Sequence, residues 1–268
     1  ESQKIESASF VDGESDGSAI LGFSQEQDAE ATINALQGER PDWLVVDHYS
    51  LDQNWESIVR PKVGKLLVID DLANRVHDCD VLVDQNYVKG YTNRYDDYVN
   101  EKTIKLLGPN YALIRPEYSK IRKKLPQHNG VIKRELIFMG GSDIDNVSCE
   151  AIKAMKNPSL NSIFIDVVIG VNHQHKNEIK TKCHSRGLAK WHFNVPHLAD
   201  FMAKADLSIG AGGTTTWERL CLGLPTVVFS AAKNQLAICE ALGEDGFINY
   251  MGTNGKRSAA FLSKKINE

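Results

Sequence analysis

Two glycine-rich turns carry the residues whose types and spacing could bind an anion. "FMGGSD" at 138–143 and "IGAGGTTTWE" at 209–218 each come at the end of a short apolar run that predicts a buried strand. Glycine lets the backbone approach a phosphate closely, hydroxyl groups add donors, and a helix N-terminus offers free N–H groups. A plain tight turn explains either segment alone, but the pair favours a diphosphate bridged between them. The candidate ligands are Gly140, Gly141, Ser142, Gly212, Gly213, Thr214 and Thr215.

One carboxylate follows the second turn at a helical spacing. If a helix begins near Thr214, Glu218 lies one turn inside it, close to the positive end of the helix dipole. There it can accept two hydrogen bonds from the vicinal hydroxyls of a ribose whose phosphates occupy the helix N-terminus. Favourable placement in the dipole explains the same spacing, and both interpretations stay open.

The first half of the chain offers a different set of polar residues. Asp47, His48 and Tyr49 follow the apolar run "WLVV", where a parallel strand would end. Histidine titrates near neutral pH, so His48 is the candidate general base, with a packed and hydrogen-bonded ring as the alternative. Asp70 and Asp71 form an acidic pair that could bind a metal or sugar hydroxyls, although a solvated turn is favoured.

A histidine pair has the spacing of metal ligands. His173 and His175 are separated by one residue, but no third ligand lies nearby in the sequence. Structural zinc takes four ligands and catalytic zinc three. A loop and helix start is therefore the favoured interpretation, and we predict no metal site.

The elements that must position these residues alternate between strands and helices. Ser24 and Gly38 bracket a predicted helix, a second helix is predicted from Ser50 to Pro61, and the alternation restarts at Arg134. This pattern predicts an α/β fold with parallel sheets and helices on both faces. The basic, polar stretch 115–135 separates two predicted domains, 1–125 and 126–268. The predicted strands of the first domain are 42–47, 65–71, 80–86 and 103–108.

Composition limits the possible functions. The 268 residues carry a net charge of −4, which argues against nucleic acid and anionic membrane surfaces as partners. The apolar runs are too short to span a bilayer. The five scattered cysteines are typical of reduced thiols, which predicts a cytoplasmic protein.

Several of these segments together resemble a known family. "GAGGTTTWERLCLGLPTVVF" and the later "KNQ" are similar to the nucleotide-binding half of the MurG-like GT-B glycosyltransferases. "DWLVVDHYSLD", "LGPNYALIRPEY", "FMGGSDIDN" and "AAKNQ" narrow the resemblance to the UDP-2,4-diacetamido-2,4,6-trideoxy-β-L-altropyranose hydrolases of the pseudaminic acid pathway. The resemblance runs from about residue 24 to 250.

The resemblance implies a GT-B-like fold, with two Rossmann-like domains facing a cleft, and hydrolysis of a UDP-sugar with inversion, without a cofactor. It places uracil near the backbone of Leu198, and Tyr49 and Asn234 at the sugar from opposite domains, with Asp47 and Gln235 as further sugar ligands. UDP-sugar and UDP are the implied partners. A glycosyltransferase with an alcohol acceptor, and a nucleotide-sugar binding domain without turnover, are the alternatives.

The sequence departs from the family at its start. The family begins with a strand and a "GxGH" loop whose histidine is thought to be the base, but nothing before residue 24 matches it and no histidine precedes His48. We therefore expect an incomplete N-terminal domain. On this expectation UDP binding survives, whereas hydrolysis is lost or severely reduced.

Overall fold

The computed structural model describes residues 22, 24–253, 259, 263 and 264. These residues form two compact units. The first unit contains the described residues up to Asp84 together with Thr92–Leu107. The second unit contains Gln85–Tyr91 and the described residues from Gly108 onward.

The first unit is built on a four-stranded parallel sheet with strand order β1-β2-β3-β4. Both faces of the sheet carry apolar residues, and β3 is buried at all four positions, as expected for a parallel strand covered on two sides. The elements are α1 (Gln25–Ala35), β1 (Trp43–Val46), α2 (Gln53–Val59), β2 (Lys65–Ile69), β3 (Val81–Asp84) and β4 (Ile104–Leu107).

The helix starts of the first unit follow side-chain capping. Ser24 caps α1 and forms a capping box with Gln27, which confirms the predicted start. The prediction that Ser50 caps α2 was wrong. Asp52 is the N-cap, because its carboxylate accepts a hydrogen bond from the N–H of Asn54, and Ser50 is buried before the helix.

The second unit contains a six-stranded parallel sheet with strand order β10-β9-β8-β5-β6-β7. This is the doubly wound order, in which the direction of winding reverses between β5 and β8. The strands are β5 (Arg134–Phe138), β6 (Phe164–Ile169), β7 (Ala189–Phe193), β8 (Leu207–Ala211), β9 (Thr226–Ser230) and β10 (Asn249–Thr253). The edge strand β10 has no counterpart among the predicted strands.

Helices cover both faces of this sheet. On one face Ile152, Met155 and Ile179 pack against buried strand residues, and on the other Leu136 and Val168 pack against a second set of helices. The predicted α/β fold class is thus confirmed. The helices are α3 (Pro116–Arg122), α4 (Val147–Ala154), α5 (Lys176–Arg186), α6 (Ala199–Lys204), α7 (Thr215–Leu222) and α8 (Leu236–Glu244).

The segment predicted as a domain boundary contains a packed helix. Tyr118 in α3 is buried against Leu136 and Met202 of the second unit. The compact units therefore divide at Leu107 and Gly108, earlier than the boundary we expected between 115 and 135. The basic composition of this stretch reflects the exposed face of α3, and the assignment of roles to domains stays a prediction.

Within the described ranges, no helix is both long and apolar enough to cross a membrane. All five cysteines are free thiols.

Candidate functional site

The two glycine-rich turns leave the same edge of the second sheet. Strands β5 and β8 are adjacent and parallel, with Phe138 paired to Gly210, so the turns Gly140–Ser142 and Gly212–Thr214 begin at neighbouring strand ends. Adjacent strands lie about 4.8 Å apart. This edge is also the point where the winding reverses, which is where open α/β sheets bind ligands.

The first turn is open on its outer side. Gly140 has a φ of +90°, which favours glycine, and a Cβ on Gly140 or Gly141 would meet no atom within 4 Å. On the inner side, a Cβ on Gly170 after β6 would overlap the backbone of Gly141. The absence of a side chain at Gly170 therefore lets the turns after β5 and β6 pack together, while Ser142 is exposed.

A buried aspartate and histidine hold the segment that follows this turn. Asp143 accepts hydrogen bonds from the N–H groups of Val147 and Ser148, both 2.9 Å, at the start of α4. His173 Nε2 lies 3.4 Å from Asp143 Oδ2, and His173 Nδ1 accepts from the N–H of His175 at 3.1 Å. His173 and Asp143 thus stabilise the loop before α5. In the part of the chain that the structure describes, no cluster of three or more potential metal ligands occurs.

The second turn leads directly into α7. Thr214 is the N-cap, as expected for a helix starting there, and the N–H of Thr216 donates to Gly213 O at 2.9 Å. A Cβ on Gly212 would overlap the Sγ of buried Cys239, so the turn packs closely on α8. The first N–H groups of a helix have no intrahelical partner. The turn therefore presents donors and the positive end of a dipole to the sheet edge, with Thr215 at the first helical position.

Gln235 lies against the second turn. It ends the 3-10 helix Lys233–Gln235, and its Oε1 accepts a hydrogen bond from Ala231 N at 2.8 Å. Its Nε2 would lie 3.6 Å from a Cβ on Gly213. The structure therefore places the amide donor of Gln235 beside the predicted phosphate turn, whereas Asn234 is exposed on the 3-10 helix.

A cavity of about 240 Å³ lies in the second unit and brings Glu218, Thr215 and Leu198 together. The residues predicted to bind the ribose (Glu218) and the uracil (Leu198) therefore line the same cavity. Its lining consists of Arg115, Tyr118, Phe138, Val168, Ile169, Gly170, Asn194, Val195, Pro196, His197, Leu198, Thr215 and Glu218.

The carboxylate of Glu218 is half-buried in this cavity. Burial raises its pKa above the ordinary value, while a hydrogen bond from the hydroxyl of Tyr118 and the charge of Arg115 act in the opposite direction. Burial and Glu218 also raise the pKa of Tyr118, which therefore stays a hydrogen-bond donor. Arg115 in turn donates to Nδ1 of His197 at 2.6 Å. Tyr118 thus fixes one oxygen of Glu218 and leaves acceptor capacity facing the cavity.

Arg115 and Tyr118 were missed as site residues. They lie in the basic segment taken as a boundary. Pro116 supplied a usable signal, because proline is favoured at the first position of a helix and is found there in α3.

In the first unit, Asp47, His48 and Tyr49 follow β1 as predicted. His48 Nδ1 accepts a hydrogen bond from the N–H of Ser50 at 3.1 Å, and its carbonyl oxygen accepts from Arg75 at 3.3 Å. The neutral ring therefore carries its proton on Nε2, where it is a donor. Asp47 is exposed.

The phenol of Tyr49 is half-exposed and lies beside an acid. Its hydroxyl donates to Asp71 Oδ2 at 3.4 Å. Partial burial and the negative charge of Asp71 raise the pKa of Tyr49 to about 12. The side chain is therefore protonated at neutral pH and is available as a hydrogen-bond donor.

The favoured interpretation of Asp70–Asp71 as a solvated turn was wrong for Asp70, which is buried. Burial opposes its ionisation, but the N–H of Ala73 and the guanidinium of Arg75, 2.7 Å away, outweigh it and hold the pKa below the ordinary value. The hydroxyl of Tyr95 donates to the same carboxylate at 2.8 Å. Asp70 is a structural anchor for the loop after β2.

Comparison with protein families and curated proteins finds relatives by sequence. No family model matches the chain. An uncharacterized protein of Methanocaldococcus jannaschii is 28% identical over 80% of this chain, and the spore coat polysaccharide biosynthesis protein SpsG of Bacillus subtilis is 24% identical over 60%. The chain spans 45% and 44% of the length of these two relatives. The UDP-2,4-diacetamido-2,4,6-trideoxy-β-L-altropyranose hydrolase of Campylobacter jejuni is 32% identical over 80% of this chain and 76% of its own length.

Solved structures share the fold at low sequence identity. MurG of Acinetobacter baumannii has a TM-score of 0.58 at 11% identity, covering 91% of this chain and 69% of its own. The UDP-GlcNAc 2-epimerase of Neisseria meningitidis, solved with UDP-GlcNAc, has a TM-score of 0.56 at 12% identity, covering 91% and 71%. These likenesses confirm the predicted GT-B-like fold class.

Proposed function

Since the chain belongs to the family of the UDP-2,4-diacetamido-2,4,6-trideoxy-β-L-altropyranose hydrolase, we propose that it cleaves a UDP-linked diacetamido-trideoxy sugar to the free sugar and UDP. The observation that carries the proposal is the cavity of the second unit, where a half-buried carboxylate, Glu218, lies on the helix that starts at the glycine-rich turn. A nucleoside diphosphate needs this combination of a diol acceptor and anion donors.

The second unit would hold the UDP portion. In this arrangement the uracil pairs with the backbone near Leu198, and the ribose hydroxyls donate to the oxygen of Glu218 that Tyr118 leaves available. The phosphates lie at the turns that contain Ser142 and Gly213. The N–H groups of these turns and the dipole of α7 would stabilise the charge that develops on departing UDP, as preorganised donors do in other enzymes.

The first unit would act on the sugar. By the resemblance, Tyr49 and Asp47 face the sugar, together with Asn234 and Gln235 of the second unit. Inverting hydrolysis needs a water molecule that attacks the anomeric carbon as the bond to the diphosphate oxygen breaks, and a base that takes the proton of the water. The hydroxyl of Tyr49 has a single proton, so it would turn away from Asp71 to donate a hydrogen bond to the sugar. A neutral His48 has its proton on Nε2, so the nitrogen that could take the proton of the water is Nδ1, which would then give up the hydrogen bond from Ser50.

A glycosyltransferase activity is the competing proposal, because MurG shares the fold. The two activities use the same donor site and differ in the acceptor, which is water for a hydrolase and an alcohol for a transferase. Acceptor dependence therefore distinguishes them.

The test incubates the protein with the UDP-linked sugar in the absence of any alcohol acceptor and follows UDP release. Proton NMR of the first-formed product reports the anomeric configuration. We expect UDP release without acceptor and a product of inverted configuration. Release that requires an alcohol would support the transferase, and UDP binding without any release on prolonged incubation would support a binding domain.

A further inference from the structure

A buried arginine lies behind the second glycine-rich turn. Arg219 is 1% exposed and is the largest fully buried side chain among the described residues. Its Nη2 donates to Ala211 O at 2.7 Å and to Thr216 Oγ1 at 2.9 Å, whereas its Nε is buried without a hydrogen-bond partner. Of the ion pairs found among the described residues, none includes Arg219.

The guanidinium is packed between the end of β8 and the start of α7. Ala211 is the residue before Gly212, and Thr216 is in the first turn of α7. A Cβ on Gly210 would overlap Nη1 of Arg219, so the glycine at this position leaves the room that the cation occupies. The positive charge is therefore held directly beneath the turn that starts α7.

This charge has little local compensation. Burial lowers the pKa of Arg219 to about 10, so the side chain stays protonated at neutral pH. A buried charge without a partner is costly, and the N-terminal end of a helix adds positive rather than negative potential. Glu218 favours the charged form but does not pair with it. An anion bound on the turn would supply the missing negative charge.

We propose that Arg219 is a positioning residue for the diphosphate of the bound nucleotide, holding the turn through Ala211 and Thr216 and supplying charge from behind it without touching the ligand. The inference rests on the proposed function, because it takes UDP as the ligand of this turn. It predicts that Arg219 acts on the phosphates and leaves the nucleoside portion unaffected.

The experiment compares the wild type with Arg219→Met and Arg219→Lys by titration with UDP and with uridine. We expect Arg219→Met to weaken UDP by about tenfold to thirtyfold, the scale of one charge acting over several ångströms in a protein. Uridine affinity should change less than about threefold, and Arg219→Lys should keep most of the preference for UDP.

A matched control removes a cation of α3 that lies beside the C-terminal end of α7. Arg122 is exposed and lies against Gly223, which follows the last residue of the helix. Arg122→Met should leave UDP affinity unchanged. The melting temperature of ligand-free Arg219→Met should remain close to that of the wild type, because the loss of two hydrogen bonds is offset by removal of an unpaired charge.

The outcomes separate the inference from the function it rests on. Equal weakening of UDP and uridine, or unchanged UDP affinity in Arg219→Met, would overturn the inference while UDP binding by the wild type stands. A wild type that does not bind UDP would contradict the proposed function and the inference together.

Discussion

Replacing Glu218 by alanine should weaken UDP binding in a way that identifies the ribose as its partner. The carboxylate is half-buried in the cavity, and one oxygen already accepts from Tyr118. A hydrogen bond to a charged group contributes about 1.5–3 kcal/mol. Because burial raises the pKa of Glu218, the free energy cost of keeping the carboxylate ionised offsets part of the hydrogen-bond energy. We therefore expect a loss of about 1–3 kcal/mol, or roughly fivefold to 150-fold in affinity.

The assay is calorimetric titration of both proteins with UDP and with 2′-deoxy-UDP. The wild type should bind the deoxy ligand more weakly, whereas Glu218→Ala should bind the two ligands with similar affinity, since the acceptor of the 2′-hydroxyl is gone. Tyr118→Phe is the matched control, because it removes the donor that orients Glu218 but keeps the carboxylate. It should cost about 0.5–1.5 kcal/mol.

The reasoning is refuted if Glu218→Ala discriminates between the two ligands as strongly as the wild type does. In that case the ribose lies elsewhere, and Glu218 contributes only through the helix dipole.

Three further predictions concern single side chains. Burial raises the pKa of Glu135 to about 8, so this carboxyl favours the folded state below its ordinary pKa near 4.5, and that contribution is lost as pH rises through about 8. Urea unfolding should show a loss of about 3 kcal/mol between pH 5 and pH 8 that is absent in Glu135→Gln, and an equal loss in the variant would contradict this. Gly170→Ala should lower the free energy of unfolding by about 1–3 kcal/mol and weaken UDP, because the new Cβ overlaps the backbone of Gly141; thermal melts and titration test this, and an unchanged melting temperature would show that the turn can yield. Tyr49→Phe should slow UDP release by roughly twofold to tenfold with unchanged UDP affinity, since the variant loses one neutral hydrogen bond to the sugar of about 0.5–1.5 kcal/mol, and full turnover in the variant would remove Tyr49 from the reaction.

Local sequence signals predicted the elements that depend on local chemistry. The capping box of Ser24 is made by residues three positions apart, so it can be recognised in the sequence. The apolar runs of β1 to β5 likewise show which segments can be buried in a sheet. The start of α2 was misplaced because Ser50 and Asp52 are both good caps, and the preference between them depends on tertiary packing.

The features that were missed depend on contacts distant in the chain. Tyr118 contacts Glu218 across 100 positions, and its segment was predicted as a domain boundary because it is basic and polar. No sequence signal identified Arg219, because its burial depends on the packing of its guanidinium where a Cβ of Gly210 would lie. The position of Gln235 beside Gly213 also follows from packing between distant segments, and its role as a sugar ligand stays a prediction.

A crystal structure of the protein with UDP tests the central claim most directly, namely that the second unit holds the nucleotide. The account predicts the ribose hydroxyls within hydrogen-bond distance of Glu218, uracil beside Leu198, and the diphosphate on the N–H groups of Gly213 and Thr214. UDP bound away from the cavity, or with its phosphates far from the turn before α7, would contradict it.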